Sequence, residues 1–370
     1  MTTLDRVQIR GYKSIDRVDI NLGRINVLIG GNGSGKSNFI SLFSLMQEIA
    51  KGQFQRAVLK RGRATTLLHY GTKTTKLAGT RLTFGTVGYL AVWEPTDDDT
   101  LIFNRESVFR ETATEKQPSL FDTDPTGTGH QGFSETRLAA PGALTDTPTQ
   151  HEILDSICGW KTYHFHDTSE TAPVRMTCRI NDNVSLRQDA SNLAAILYLL
   201  KKTALPQYEK IRNTIRLVAP FFDDFIIRPT PDNPEYIRLE WRETGRDLPL
   251  YAHQLSDGTL RFICLATLLL QPELPPLILI DEPELGLHPS AINLLGDLIR
   301  YASSRSQLII TTQSERLLDC FNPDEILIVD RVDGNTTIFR PDLVELGHWL
   351  NEYTVGNLWV MNILTIRPGW

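Results

Sequence analysis

The stretch "INVLIGGNGSGKSNFISLFSLMQEIA" leaves a chain few architectures to choose from. An apolar run ends in residues 30–37, "GGNGSGKS", which fit the pattern G-x-x-x-x-G-K-[ST]. The loop opens directly into a segment on which Phe39, Leu42, Phe43, Met46 and Ile49 recur at helical spacing. A strand feeding a helix through a glycine-rich turn needs a sheet for the strand and a sheet face for the helix. Gly30, Gly31, Gly33 and Gly35, with Asn32 and Ser34 between them, let backbone N–H groups turn inward on phosphate oxygens. In such a loop Lys36 sets a point charge on the β- and γ-phosphates, and Ser37 offers a hydroxyl to Mg²⁺.

A second apolar strand, "PLILI", ends in Asp281 and Glu282. Open α/β sheets bind ligands at the carboxyl ends of their strands. Two adjacent acids are costly there unless a cation or a reaction needs them. Asp281 is the candidate for the Mg²⁺ shell, and Glu282 for polarising an attacking water. From Thr259 onward helix and apolar strand alternate: "TLRFICLATLLL", "PLILI", "PSAINLLGDLIRYAS", "QLIITT", "EILIVD". Continuous apolar strands between helices imply a parallel sheet covered on both faces.

The N-terminal runs "RVQIRGY" and "SIDRVDINL" also read as strands, and "TRLTFG", "GYLAVWE" and "TLIFNRESVF" as antiparallel ones. Residues 111–150, rich in Thr, Pro, Gly and Asp, read as a long irregular loop. Helices are expected around "SNLAAILYLLKK" and "YEKIRNTIRLVAPFF", and a strand at "YIRLEWRE". The expected division is 1–110, an N-terminal ATPase half; 111–250, an insertion; and 251–370, a C-terminal half with a short tail.

The formal net charge of -6 gives no global pull toward nucleic acid or anionic lipid. Cys158, Cys178, Cys264 and Cys320 are far apart and form no CxxC, which fits a reducing cytoplasm. The N-terminus is too polar for a signal peptide, and prolines and Glu273 break the longest apolar run, so no membrane span is expected.

"LSDGT", Leu255 to Thr259, lies shortly before the acid pair. Together with residues 30–37 and "LILIDEPE" it resembles the ATP-binding-cassette ATPases, whose signature is LSGGQ, and specifically their OLD, RecF and SMC branch. Asp257 and Thr259 depart from that signature. The resemblance implies an α/β P-loop NTPase of the ABC-ATPase type, with a parallel sheet core, an antiparallel β subdomain and an inserted helical region. It implies that Ser256 and Gly258 reach the γ-phosphate held by an opposite subunit, aided by the helix dipole. Gln313 stands where the family has its switch histidine. A carboxamide can hydrogen-bond a phosphate but cannot titrate, so slow turnover is expected. "RVQIRGYKSID" resembles the opening of RecF-like and OLD-like ATPases, with Arg10 and Lys13 read as strand-edge charges. His164, His166 and Asp167 in "YHFHDTS" read as a hydrogen-bonded structural segment rather than a metal site.

No sustained heptads mark a long SMC-type arm. The stretch after Gln313 is too short for a Toprim nuclease. The expected protein is a cytoplasmic Mg²⁺-dependent ATP hydrolase that forms a homodimer or higher homo-oligomer, head to tail around ATP. By family analogy it acts on an effector encoded nearby, or on DNA, in bacterial anti-phage defence. The alternatives are a RecF-like repair ATPase and a low-turnover ATP-binding scaffold that holds an effector inactive.

Overall fold

The computed structural model of the chain describes residues 3–110, 120, 132–139 and 147–365. Most of the 111–150 stretch read as irregular lies outside the described residues. Within it, Leu120 is buried against Leu90 and Val92, and a helix begins at Thr147 and runs to Gly159. Two compact units emerge, one made of Met1–Trp160, Pro323–Glu352 and Met361–Trp370, the other of Lys161–Asn322 and Tyr353–Val360.

The first unit contains a five-stranded antiparallel sheet in the order Ile15–Asn21, Arg6–Tyr12, Ala78–Phe84, Val87–Pro95, Leu101–Arg110. Arg6–Tyr12 pairs on one edge with Asn21 opposite Arg6, and on the other with Thr83 opposite Arg6. The strand Ile25–Ile29 is buried along its whole length. It pairs in parallel with Ile326–Val332, placing Val27 beside Ile326 and Ile29 beside Ile328. Asn335–Phe339 folds back antiparallel on that partner. Because both faces of Ile25–Ile29 and of the first four residues of Ile326–Val332 are covered, their apolar runs are continuous rather than alternating. The helix Lys36–Ala50 buries Phe39, Leu42, Phe43, Met46 and Ile49, the stripe expected from their spacing. Phe43 lies against Trp160, with ring centroids 5.4 Å apart.

In the second unit Leu277–Asp281 pairs in parallel with Gln307–Thr312 and with Lys161–Tyr163, so that Asp281 stands beside Thr311 and Ile280 beside Tyr163. The helix Asp257–Leu270 buries every residue from Leu260 to Leu270, and Pro289–Ser303 buries one stripe. The helices Leu193–Thr203 and Leu205–Val218 precede a small antiparallel sheet of Phe222–Ile226, Glu240–Glu243 and Pro249–Tyr251. Ion pairs bind this region: Asp223 takes Arg216 and Arg242, each at 2.5 Å, and Glu240 takes Arg238 at 2.7 Å. Among the described residues no helix is long and apolar enough to cross a membrane.

The chain is thus a P-loop NTPase fold of the ABC-ATPase type, mixed α/β with parallel and antiparallel sheets.

Candidate functional site

In the first unit the strand Ile25–Ile29 delivers the loop 30–37 to the start of the helix Lys36–Ala50. The loop turns through left-handed glycines, Gly33 at φ 78 and Gly35 at φ 113. Gly30 fits against backbone: a Cβ there would lie 2.2 Å from the Val329 carbonyl oxygen. At Gly31 and Gly33 a Cβ would meet nothing within 4 Å among the described residues, so that side of the loop is left open by them. The Lys36 ammonium is buried under the loop and donates to the carbonyls of Gly30 at 2.6 Å and Gly31 at 3.1 Å. The Ser34 hydroxyl is buried and has no hydrogen-bond partner among the described residues. Ser37 is exposed at the first turn of the helix.

A relay of side chains holds the loop from behind. Asn38 Nδ2 donates to Ser14 Oγ at 2.7 Å, Ser14 Oγ lies 2.7 Å from Thr336 Oγ1, and Thr336 Oγ1 donates to the Ser34 carbonyl at 2.8 Å. Since the Thr336 proton goes to Ser34, Ser14 is the donor to Thr336. Gly35 completes the fit, because a Cβ there would lie 2.1 Å from Thr336 Oγ1. Gly35→Ala is therefore expected to destabilise the protein by about 1–3 kcal/mol, from left-handed strain plus the clash. A thermal melt of the variant checks this; an unchanged Tm would contradict it.

Lys13 is not a bare edge charge. Its ammonium donates to Ser41 Oγ at 2.9 Å, and burial, with Arg61 nearby, holds its pKa below the ordinary lysine range. Arg10 lies opposite Arg17 across the neighbouring strand.

In the second unit Asp281 and Glu282 emerge at the carboxyl end of Leu277–Asp281. Thr311 Oγ1 donates to Asp281 Oδ1, and the Glu282 N–H donates to the Thr311 carbonyl at 3.0 Å. Glu282 has a left-handed φ of 41, a strained backbone for a residue with a Cβ, at the point where the chain leaves the strand. Gln313 Nε2 donates to Glu282 Oε1. The structure therefore brings Asp281, Glu282 and Gln313 together.

Two histidines bracket this strand end. His166 Nε2 lies 2.8 Å from the Asp281 carbonyl oxygen and is its donor, while His164 Nδ1 lies 3.8 Å from Asp281 Oδ2. Burial pushes the His164 pKa below its usual value, against the upward pull of Asp281. Asp167 closes a local turn by accepting from Ser169. Among the described residues no group of three or more His, Cys, Asp or Glu side chains is arranged to hold a metal ion.

Ser256 caps the helix Asp257–Leu270, its hydroxyl accepting from Thr259 N at 3.2 Å. Gly258 is pressed onto the loop that follows the acid pair: a Cβ there would lie 2.3 Å from the Gly286 carbonyl oxygen. Two arginines that the sequence reading missed hold this corner. Arg175 donates to the carbonyls of Thr168 at 2.9 Å and Leu255 at 3.3 Å, to that of Ala252, and to Asp257 Oδ1 at 2.8 Å. Arg261 donates to the carbonyls of Phe165 at 2.8 Å and His166 at 3.0 Å, and to that of Leu285. The departures in "LSDGT" have local uses: Asp257 gives Arg175 a carboxylate, and Thr259 gives Ser256 a hydroxyl at 2.8 Å.

A third acid was also missed. Glu284 is 7% exposed, and burial pushes its carboxyl pKa above the usual range. Its Oε1 accepts from Thr312 Oγ1 at 2.5 Å and Gln313 N at 3.2 Å. The spacing D-E-P-E was its only signal in the sequence.

The residues present suit a nucleoside triphosphate with Mg²⁺. The open loop edge at Gly31 and Gly33, the unpartnered Ser34 hydroxyl and the Lys36 ammonium suit a phosphate chain. Ser37 in the first unit and Asp281 in the second each carry a hard oxygen donor of the kind that Mg²⁺ takes.

Comparison with known proteins shows the family and the fold. The family model described as "AAA domain, putative AbiEii toxin, Type IV TA system" matches residues 25–126 and 158–319. The Old nuclease of Escherichia phage P2 is 33% identical over 147 residues, 35% of this chain, and the chain covers only 25% of that protein's length. A crystal structure of an SMC head bound to the C-winged helix domain of ScpA superposes with a TM-score of 0.58 at 18% identity, covering 93% of this chain and 99% of that one. The Pyrococcus furiosus SMC head with an extended coiled coil, bound to the C-terminal domain of ScpA, gives a TM-score of 0.55 at 17% identity, covering 95% and 99%.

Proposed function

The chain belongs to the AAA-domain ATPase family matched by that model, and from this premise we propose that it is a Mg²⁺-dependent ATP hydrolase of the OLD-like kind. The observation that carries the reading is the loop 30–37, with its left-handed glycines, open edge and buried lysine beneath. Its backbone N–H groups, the Ser34 hydroxyl and Lys36 bind the phosphates, and Ser37 and Asp281 are the residues that would hold Mg²⁺. Mg²⁺, when bound, would neutralise negative charge on the phosphates.

Glu282 orients the attacking water and takes its proton. Gln313, donating its amide to Glu282 Oε1, fixes the direction in which that carboxylate accepts. A carboxamide cannot relay a proton, which supports slow turnover. The exposed Ser256 hydroxyl at a helix start, with its dipole, suits the γ-phosphate held by a second copy of the chain. The protein then works as a cytoplasmic head-to-tail homo-oligomer. Its ATP cycle controls an effector protein or a DNA transaction, in anti-phage defence by analogy with OLD-like systems.

Complementation tests the shared site. Ser256→Arg fills the γ-phosphate space while leaving the subunit's own loop intact, and Lys36→Ala does the converse. In a head-to-tail dimer of the two variants, one site collects both defects and the other collects neither. Phosphate release should be lost in each variant alone and partly regained on co-expression, in proportion to the heterodimer formed. If Ser256 were only a helix cap, its loss would cost about 1 kcal/mol of stability and mixing would restore nothing.

A further inference from the structure

Glu284 has no part in the chemistry above, yet it is the most buried acid of the strand-end cluster. Its Oε2 has no hydrogen-bond partner among the described residues. A buried carboxyl left half-satisfied destabilises a fold by kilocalories, whereas an apolar side chain of similar volume would not. What it holds is specific. Oε1 gathers the Thr312 hydroxyl and the Gln313 N–H, and the same Thr312 oxygen accepts from Ser314 N at 2.9 Å. Three consecutive residues at the end of the strand Gln307–Thr312 are thus fixed through one carboxyl oxygen. Gln313 leaves that turn with its amide on Glu282.

We propose that Glu284 is a positioning residue for hydrolysis: its buried carboxyl sets the turn at Thr312 and Gln313 so that the Gln313 amide meets Glu282. The proposal rests on the reading of the chain as an ATPase in which Glu282 orients water. It adds that the third acid of "DEPE" acts through Gln313 and never touches the nucleotide. Glu284→Gln keeps an acceptor of the same shape toward Thr312 and Gln313, so it should retain turnover. Glu284→Leu removes the acceptor and lets the turn relax.

The experiment is a double-mutant cycle on the full-length protein, with steady-state phosphate release as the readout and Lys36→Ala as the control for ATPase activity. Glu284→Leu should lower kcat at least ~10-fold while KM for ATP changes less than ~2-fold, the pattern of an interaction that matters in the transition state rather than in binding. In a Gln313→Ala background the same change should have little further effect, whereas Glu284→Gln alone, with Gln313 intact, should retain most of the wild-type rate. Thr312→Val, which removes the hydroxyl while keeping the β-branched shape, should repeat the result and serves if Glu284→Leu does not fold. An equal fall in both Gln313 backgrounds, or a normal kcat in Glu284→Leu, overturns the proposal. ATP turnover that Lys36→Ala leaves untouched would instead overturn the ATPase reading itself.

Discussion

Lys36→Ala is expected to abolish measurable ATP turnover. The ammonium lies buried under the loop on the carbonyls of Gly30 and Gly31, within the bend that would receive the phosphates. Without it, the loop would meet the β- and γ-phosphates with backbone dipoles and the Ser34 hydroxyl but no positive charge of its own. Removing one preorganised donor to developing charge costs roughly 10²–10³-fold in rate, and here the donor carries a full charge. Phosphate release and ATP titration on the purified variant measure the two losses separately. The variant also leaves two loop carbonyls short of a donor, so a thermal melt should accompany both assays. Near-normal affinity and turnover would show that the loop does not hold the nucleotide.

Glu282→Gln should bind ATP almost normally and hydrolyse it about 10²-fold or more slowly, the scale for losing a general base. The carboxamide keeps the size of the side chain and the left-handed backbone at that residue, but it presents no carboxylate to water. The expected result is a variant that accumulates bound ATP, read as a burst-free phosphate trace beside a normal binding isotherm. Equal rates in variant and wild type would remove Glu282 from the mechanism and point to Asp281 or a histidine beside it. Ordinary binding is the necessary control, because a poorly folded variant loses both properties together.

The parts of this fold visible in the sequence are those written locally. The glycine loop, the helix stripe from Phe39 to Ile49 and the apolar strands ending at Asp281 and Thr312 each signal themselves within a short window. The helix "PSAINLLGDLIRYAS" begins and ends where its pattern does, at Pro289 and Ser303. The invisible parts depend on distant partners. Arg175 and Arg261 resemble any arginine in the sequence, because most of what they bind is backbone carbonyl from elsewhere in the chain. Lys13 reads as an edge charge until Ser41 is found beside it. The short helices Phe54–Lys60 and Arg63–Leu67 are too brief for periodicity to declare them. Glu284 was hidden for another reason: next to two acids of obvious use, a third looks like solvated surface, and only its burial shows that it is not.

The support for the phosphate loop is encoded far from the loop. Thr336 reaches the Ser34 carbonyl across 302 residues, and the parallel partner of Ile25–Ile29 within its unit begins at Ile326. A chain made at about 5–20 residues per second therefore exposes this strand for roughly 15–60 s before the segment that braces it leaves the ribosome. Over that interval the strand is a bare apolar edge, able to pair with any other extended chain. The loop lacks the Thr336 hydroxyl on the Ser34 carbonyl next to Gly35. Long-range pairing of this kind also slows folding after release. A nascent chain thus gains the brace behind this loop only once Thr336 has been made, 302 residues after Ser34.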